Sequence, residues 1–145
     1  MDMKFSLTLP REALSVPVIR RVLGDALRGL GVSEDCIGDI LVAASEACTN
    51  VVRHSTTTEY EVVGRIDDET CSLKVTDHGT GFRRPRPMED LAESGRGMGI
   101  MRALVDDLTL TATPHGVSVE LCKRLTWHDE ALMRRLESEL VHSAR

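Results

Sequence analysis

The chain has 145 residues, 41% hydrophobic and 28% charged, the length and balance of one globular domain large enough for a core of its own. A net charge of −5 and an aromatic content of 3% supply neither the basic stripe nor the stacking rings of a nucleic-acid binder. The N-terminus shows no signal pattern. No apolar run approaches the ~20 residues that cross a bilayer. The four cysteines (Cys36, Cys48, Cys71, Cys122) form no CxxC pair, which argues against a zinc or redox motif. The expectation is a cytoplasmic protein, without direct contact to nucleic acid or membrane, whose thiols are buried and reduced.

In chain order, "MKFSLTL" (3–9) alternates in polarity and predicts a strand that Pro10 stops. Residues 13–30 predict a helix, with Val18, Val22, Ala26 and Leu30 at i, i+4 spacing, Ile19, Leu23 and Leu27 beside them, and Gly31 ending it. Ser33 is a candidate N-cap for a second helix reaching about Arg53, with Glu34 and Asp35 in the first turn, where the helix dipole favours acids. Its apolar stripe is Ile37, Ile40, Leu41, Ala44, Cys48, Val51 and Val52. "EYEVVGRI" (59–66) and "CSLKVTD" (71–77) predict strands around the turn "DDET". A polar loop carrying Arg83, Arg84 and Arg86 follows. A short helix is predicted from near Gly97, then a hairpin of "LTLTAT" (108–113) and "GVSVELCKRL" (116–125) around "PHG". The tail, 126–145, has a leucine stripe (Leu132, Leu136, Leu140), and "TWHD" could open it as a capping box. Strands bunched rather than alternating with helices predict an α+β fold, a two-layer α/β sandwich with a mostly antiparallel mixed sheet and helices on one face.

Three short stretches carry chemistry. In "SEACTNVVRH" (45–54), Glu46 and Asn50 lie one helical turn apart. At about 100° per residue they fall roughly 180° and 220° from the centre of the apolar stripe, which points them off the core, with Ala43 and Ala47 leaving room for a ligand. An Asn oxygen is a hard neutral ligand suited to Mg²⁺, and a carboxylate one turn away could take a proton from a hydroxyl nucleophile. A solvated helix face fits the spacing equally well. In "DHGTGF" (77–82), Asp77 ends a strand and could accept a hydrogen bond from an exocyclic amine, while Gly79 and Gly81 let a ligand approach. A plain β-turn has the same composition. In "GRGMGI" (95–100), Gly95, Gly97 and Gly99 open a predicted helix whose free N–H groups and dipole suit an anion. No Lys-Ser or Lys-Thr follows, so it is not a P-loop, and the spacing is not the Rossmann fingerprint. A hinge would read alike. In this order the three stretches, with the arginine-bearing loop as a lid, form a coherent Mg·ATP site.

The same three stretches resemble the N, G1 and G2 boxes of the GHKL ATPases, the Bergerat-fold superfamily that includes gyrase, histidine kinases and MutL. "EACTNVVRHS" and "SGRGMGI" look most like the small bacterial anti-sigma-factor serine/threonine kinases of the RsbW and SpoIIAB type. The resemblance covers residues 3–125, which implies an ATP-binding kinase domain over 1–125 and a C-terminal helical extension over 126–145. It implies that Asn50 binds Mg²⁺, Glu46 activates the attacking hydroxyl and Asp77 reads adenine, with Gly79 and Gly81 shaping that pocket. Gly95, Arg96, Gly97, Met98 and Gly99 match the phosphate-binding turn. Ser118 aligns with a hydroxyl that helps hold adenine through water. Arg53 belongs to the motif without an assigned task. Relatives of this type use ATP and Mg²⁺ to phosphorylate a STAS-domain anti-sigma factor antagonist, hold a sigma factor inactive and form homodimers. A non-catalytic, ATP-dependent binding module in a partner-switching system is the alternative. The polar "STTTEY" after the N box departs from the apolar or aromatic continuation of many relatives.

Overall fold

The computed structural model describes residues 1–55, 57–77, 96–113 and 116–128. Their elements are β1 (Asp2–Pro10), α1 (Ser15–Leu30), α2 (Glu34–His54), β2 (Glu59–Asp67), β3 (Thr70–Thr76), α3 (Arg96–Leu104), β4 (Asp107–Thr113) and β5 (Gly116–Arg124). The five strands form one sheet in the order β1-β2-β3-β5-β4. All four pairings are antiparallel, with registers such as Leu7↔Val62, Gly64↔Leu73, Val75↔Val119 and Leu110↔Val119. This is the expected α+β sandwich, with the sheet antiparallel throughout the described strands rather than mixed.

Strand alternation puts Val62, Ile66, Cys71, Leu73, Val75, Val119 and Leu121 on one buried face. The opposite face is polar, with Arg65 paired to Asp2 at 2.9 Å and Lys74 to Glu120 at 3.7 Å. Alternating polarity therefore reflects a sheet covered on one side only. Helix α2 lies over β3 and β5, flanked by α1 and α3. Its N-terminus is capped as expected: Ser33 Oγ accepts from Cys36 N–H at 3.4 Å, and Glu34 and Asp35 occupy the first turn. Gly31 ends α1 in the left-handed region, φ 89°, its N–H donating to Arg28 O.

Two expected faces are rotated. On α1 the core stripe is Ile19, Leu23 and Leu27, all fully buried, while Val18 and Val22 are 47% and 40% exposed. Both stripes are apolar in sequence, so periodicity does not choose between them. Tertiary contacts do: Ser15 Oγ is 2.5 Å from Tyr60 Oη, and bare Gly24 lets Leu41 of α2 approach. On α2 the side opposite Ile37 is covered too. Ala43 and Ala47 are fully buried and Asn50 is 8% exposed, because α1 and α3 flank the helix while the sheet underlies it.

The first residues of the expected tail helix are extended. Trp127 bridges Val32, Ser33 N–H donates to Thr126 O at 2.8 Å, and His128 N–H donates to Gly31 O at 2.8 Å. The segment thus closes on the link between α1 and α2, which satisfies its backbone groups. Leu132, Leu136 and Leu140 lie outside the described residues.

Candidate functional site

Connectivity decides which polar groups share an end of the sheet. The register Glu61↔Thr76 sets the start of β2 beside the end of β3, and Thr76↔Ser118 adds the start of β5. Only residues 55–58 separate α2 from β2, so the C-terminal half of α2 stands over that same end. Arg11 fastens the corner: its Nε donates to Thr57 O at 2.5 Å and its Nη1 to Val52 O at 3.3 Å. Glu46, Asn50 and Asp77 are thereby gathered at one end of the molecule.

Glu46 and Asn50 project from neighbouring turns of α2, Glu46 half-buried and Asn50 buried. Cys48 lies two residues from each and faces the other way, toward Tyr60. Burial pushes the Cys48 thiol up to about 12, against the lowering effect of its hydrogen bond with Tyr60. Burial likewise pushes the Tyr60 phenol up to about 12. Both stay neutral at physiological pH, so neither offers a charged group beside Glu46. Of the cysteines, all free thiols, Cys36, Cys48 and Cys71 are buried and Cys122 is half-buried. Next to Glu46, Ser45 is held on both sides: its Oγ donates to Leu41 O at 2.6 Å and accepts from Arg20 Nη1 at 3.1 Å.

Asp77 is 1% exposed, and its N–H donates to Val117 O at 3.0 Å, extending the β3–β5 ladder by one step. Its side chain therefore shares the face of Val75, Val117 and Val119. Ser118 lies on the other face, its Oγ 3.4 Å from Thr76 Oγ1. The two-residue period of a strand separates the Ser118 hydroxyl from the Asp77 carboxylate, and Val117 is the residue of β5 that shares the face of Asp77. Sequence reading also passed over Gly116. Its φ of +144° is closed to L-residues, and it packs directly against Asp77. A glycine opening a strand was the available signal.

Helix α3 begins at Arg96, so Arg96, Gly97, Met98 and Gly99 form its first turns, as the glycine spacing predicted. It packs on α2 through a core that includes fully buried Met101. Gly79, Gly81, Gly95 and the arginines of the expected lid lie outside the described residues. Among the described residues no cluster of His, Cys, Asp or Glu could hold a metal ion alone. A single buried Asn oxygen with a carboxylate one turn away fits Mg²⁺, which takes one or two protein ligands and fills its remaining positions with water and phosphate oxygens.

Among the described residues, no helix is long and apolar enough to cross a membrane. Residues 9–123 match the histidine kinase-like ATPase domain. A serine-protein kinase RsbW of Bacillus cereus is 29% identical over 122 residues, covering 74% of this chain and 76% of that protein. The RsbW of Bacillus thuringiensis subsp. konkukian matches equally. Among solved structures, the RsbU and RsbW domains of Rv1364c from Mycobacterium tuberculosis align with a TM-score of 0.68 at 23% identity, over 85% of this chain and 32% of that longer one. The histidine kinase domain of a blue-light activated histidine kinase from Erythrobacter litoralis aligns with a TM-score of 0.52 at 20% identity, over 80% of this chain and 61% of that one. These two structural likenesses show the fold. The sequence match, running from the end of β1 to the last residues of β5, makes this chain a member of the histidine kinase-like ATPase domain family.

Proposed function

We propose that this chain is a cytoplasmic, ATP-dependent protein serine/threonine kinase that also acts as an anti-sigma factor. The observation that carries the reading is the pairing of half-buried Glu46 with buried Asn50 on α2, above the sheet end that carries buried Asp77. Similarity to proteins named serine-protein kinase RsbW supports it. In this reading Asp77 accepts a hydrogen bond from the adenine amine, and the N-terminal turns of α3 receive phosphate oxygens at their free N–H groups. Asn50 would hold Mg²⁺, which neutralises phosphate charge and orients the γ-phosphoryl group when bound. Glu46 accepts the proton of the incoming serine or threonine hydroxyl. The acceptor is a STAS-domain anti-sigma antagonist, the competing partner is a sigma factor, and the kinase works as a homodimer. Nucleotide state then biases the choice between the two partners.

The test joins a calorimetric titration of ATP, with and without Mg²⁺, to phosphotransfer onto a STAS-domain protein from the same cell. The expected result is Mg²⁺-dependent binding in the wild type, lost in Asp77→Ala. Transfer should fall by about 10²–10⁴-fold in Glu46→Ala with ATP binding kept. Full transfer by Glu46→Ala would remove that residue from the chemistry. Binding of ATP and partner without transfer by the wild type would leave a regulatory binding module instead.

A further inference from the structure

We propose that Gly116 is a positioning residue for base recognition: its bare backbone sets the place of the Asp77 carboxylate and, through it, the preference for a base with an exocyclic amine. The inference rests on Asp77 as the base-reading group.

A Cβ at position 116 would fall inside van der Waals contact of the Asp77 backbone oxygen, 3.0 Å from Asp77 Oδ1 and 3.2 Å from the Asp77 carbonyl carbon. The φ of +144° forbids an ordinary side chain even where space exists. Other glycines differ in what they face. At Gly24 the nearest groups are the side chains of Arg28 and Leu41, and at Gly64 the Phe5 ring, so both are packing positions. At Gly29 and Gly38 a Cβ would meet nothing within 4 Å. Gly116 instead abuts the main chain and carboxylate of one residue, and that residue is buried, acidic and at the end of a strand.

The mechanical consequence follows from the ladder. Asp77 N–H is bonded to Val117 O, so β3 and β5 are already locked on one side of Asp77. Gly116 closes the other side and leaves the carboxylate little room to turn. A side chain at 116 would push the end of β3 away from the start of β5, and the carboxylate would move with its backbone. A displacement of a few tenths of an ångström suffices to weaken a directional hydrogen bond to a base held elsewhere by its phosphates.

The experiment compares ATP with inosine triphosphate, which carries an oxygen in place of the 6-amine, by calorimetry with Mg²⁺. The wild type should prefer ATP by about tenfold or more. Asp77→Ala and Gly116→Ala should each bring the ratio close to one, and the double variant should bind ATP no more weakly than Asp77→Ala. Gly38→Ala is the control for a glycine change in open space. A folded Gly116→Ala that keeps the wild-type ratio, while Asp77→Ala loses it, overturns the role of Gly116 alone. So does a double variant weakened by the full Gly116 factor. A wild-type ratio near one, or one that Asp77→Ala preserves, overturns the reading of Asp77 and this inference with it. Should Gly116→Ala fail to fold, crystal structures of the wild type decide. One Asp77 rotamer against Gly116, unmoved between nucleotide-free and ATP-analogue-bound forms, is expected, and a carboxylate that swings on binding refutes the proposal.

Discussion

At the end of the sheet where β2 turns into β3, polar side chains close the structure. Asp67 Oδ1 accepts from Glu69 N–H at 2.8 Å and Thr70 N–H at 2.7 Å, and Asp106 Oδ2 accepts from Arg124 N–H at 2.5 Å. The N-terminal ammonium meets Asp68 at 3.2 Å, and Ser33 caps α2 beside Thr126. These groups are near water, and each has a local backbone or charge to serve. At the opposite end the polar groups are buried instead: Asp77 is 1% exposed and Asn50 8%. Burial of a carboxylate or amide opposes folding unless a partner compensates it. Polar groups that terminate secondary structure stay at the rim. Asn50 and Asp77 sit deeper than any turn or cap requires, and this difference sets the end proposed for the ligand apart.

The largest expected effect tests whether the two ends share one core. Ile40 is fully buried in α2. Ile40→Ala should lower unfolding free energy by about 2–5 kcal/mol in a denaturant titration, while the ATP affinity of the remaining folded protein stays the same. A loss confined to ATP binding would mean that the ends are not supported by a common core.

Next comes Asn50→Ala. If Asn50 is kept for a ligand, its removal should lower Mg²⁺-dependent ATP affinity by about 10–100-fold, the scale of a hydrogen bond or ligand bond to a charged group. Unfolding free energy should change by less than about 1 kcal/mol, because alanine is the better helix former and leaves no buried amide. A several-kcal/mol loss of stability with intact binding would reassign Asn50 to the structure.

Ser33→Ala reverses that pattern at the other end. Losing the N-cap should cost about 1 kcal/mol of stability and leave ATP binding unaltered. A variant that binds ATP more weakly would show that the start of α2 communicates with its far end.

Much of this contrast is legible in the order of residues along the chain. Strand and helix bounds follow from local signals, such as the alternation of "MKFSLTL", the Ser33 cap and the Gly31 stop. Which face of a helix is buried is less legible where two faces are apolar. Val18 and Val22 have the same spacing as the Ile19, Leu23 and Leu27 that in fact enter the core, and only contacts from distant residues distinguish them. That the side of α2 away from the sheet is also covered follows from α3, some fifty residues later in the chain, lying against α2. Glu46, Asn50 and Asp77 could be singled out as candidates from motif and spacing, and the fold brings them to one end of the sheet. Ser118 lies on the face opposite Asp77 because a one-residue step along a strand inverts the side chain. Gly116 has no sequence signal beyond its place at the start of a strand, since the residue it packs against, Asp77, follows β3, a strand that neighbours β5 in the sheet but not in the chain.

The smallest expected effect is at the Asp67 turn, and its pH dependence gives it a signature. The backbone N–H groups of Glu69 and Thr70 favour the ionised carboxylate and hold its pKa below the ordinary 3.8. A depressed folded-state pKa stabilises the protein above the unfolded value. That contribution declines as pH falls below about 3.8 and is gone once the pH passes below the folded-state pKa. Asp67 is close to solvent, so screening keeps the electrostatic part small, and Asp67→Ala should cost about 0.5–1 kcal/mol near pH 7. Denaturant titrations at a series of pH values should show wild type and variant converging below about pH 3.8. Parallel curves across that range would mean that Asp67 stabilises the turn by shape rather than by charge. ATP binding should be equal in the two proteins throughout the pH range in which both are folded, because this carboxylate serves the β2–β3 turn, at the end of the sheet opposite Asp77.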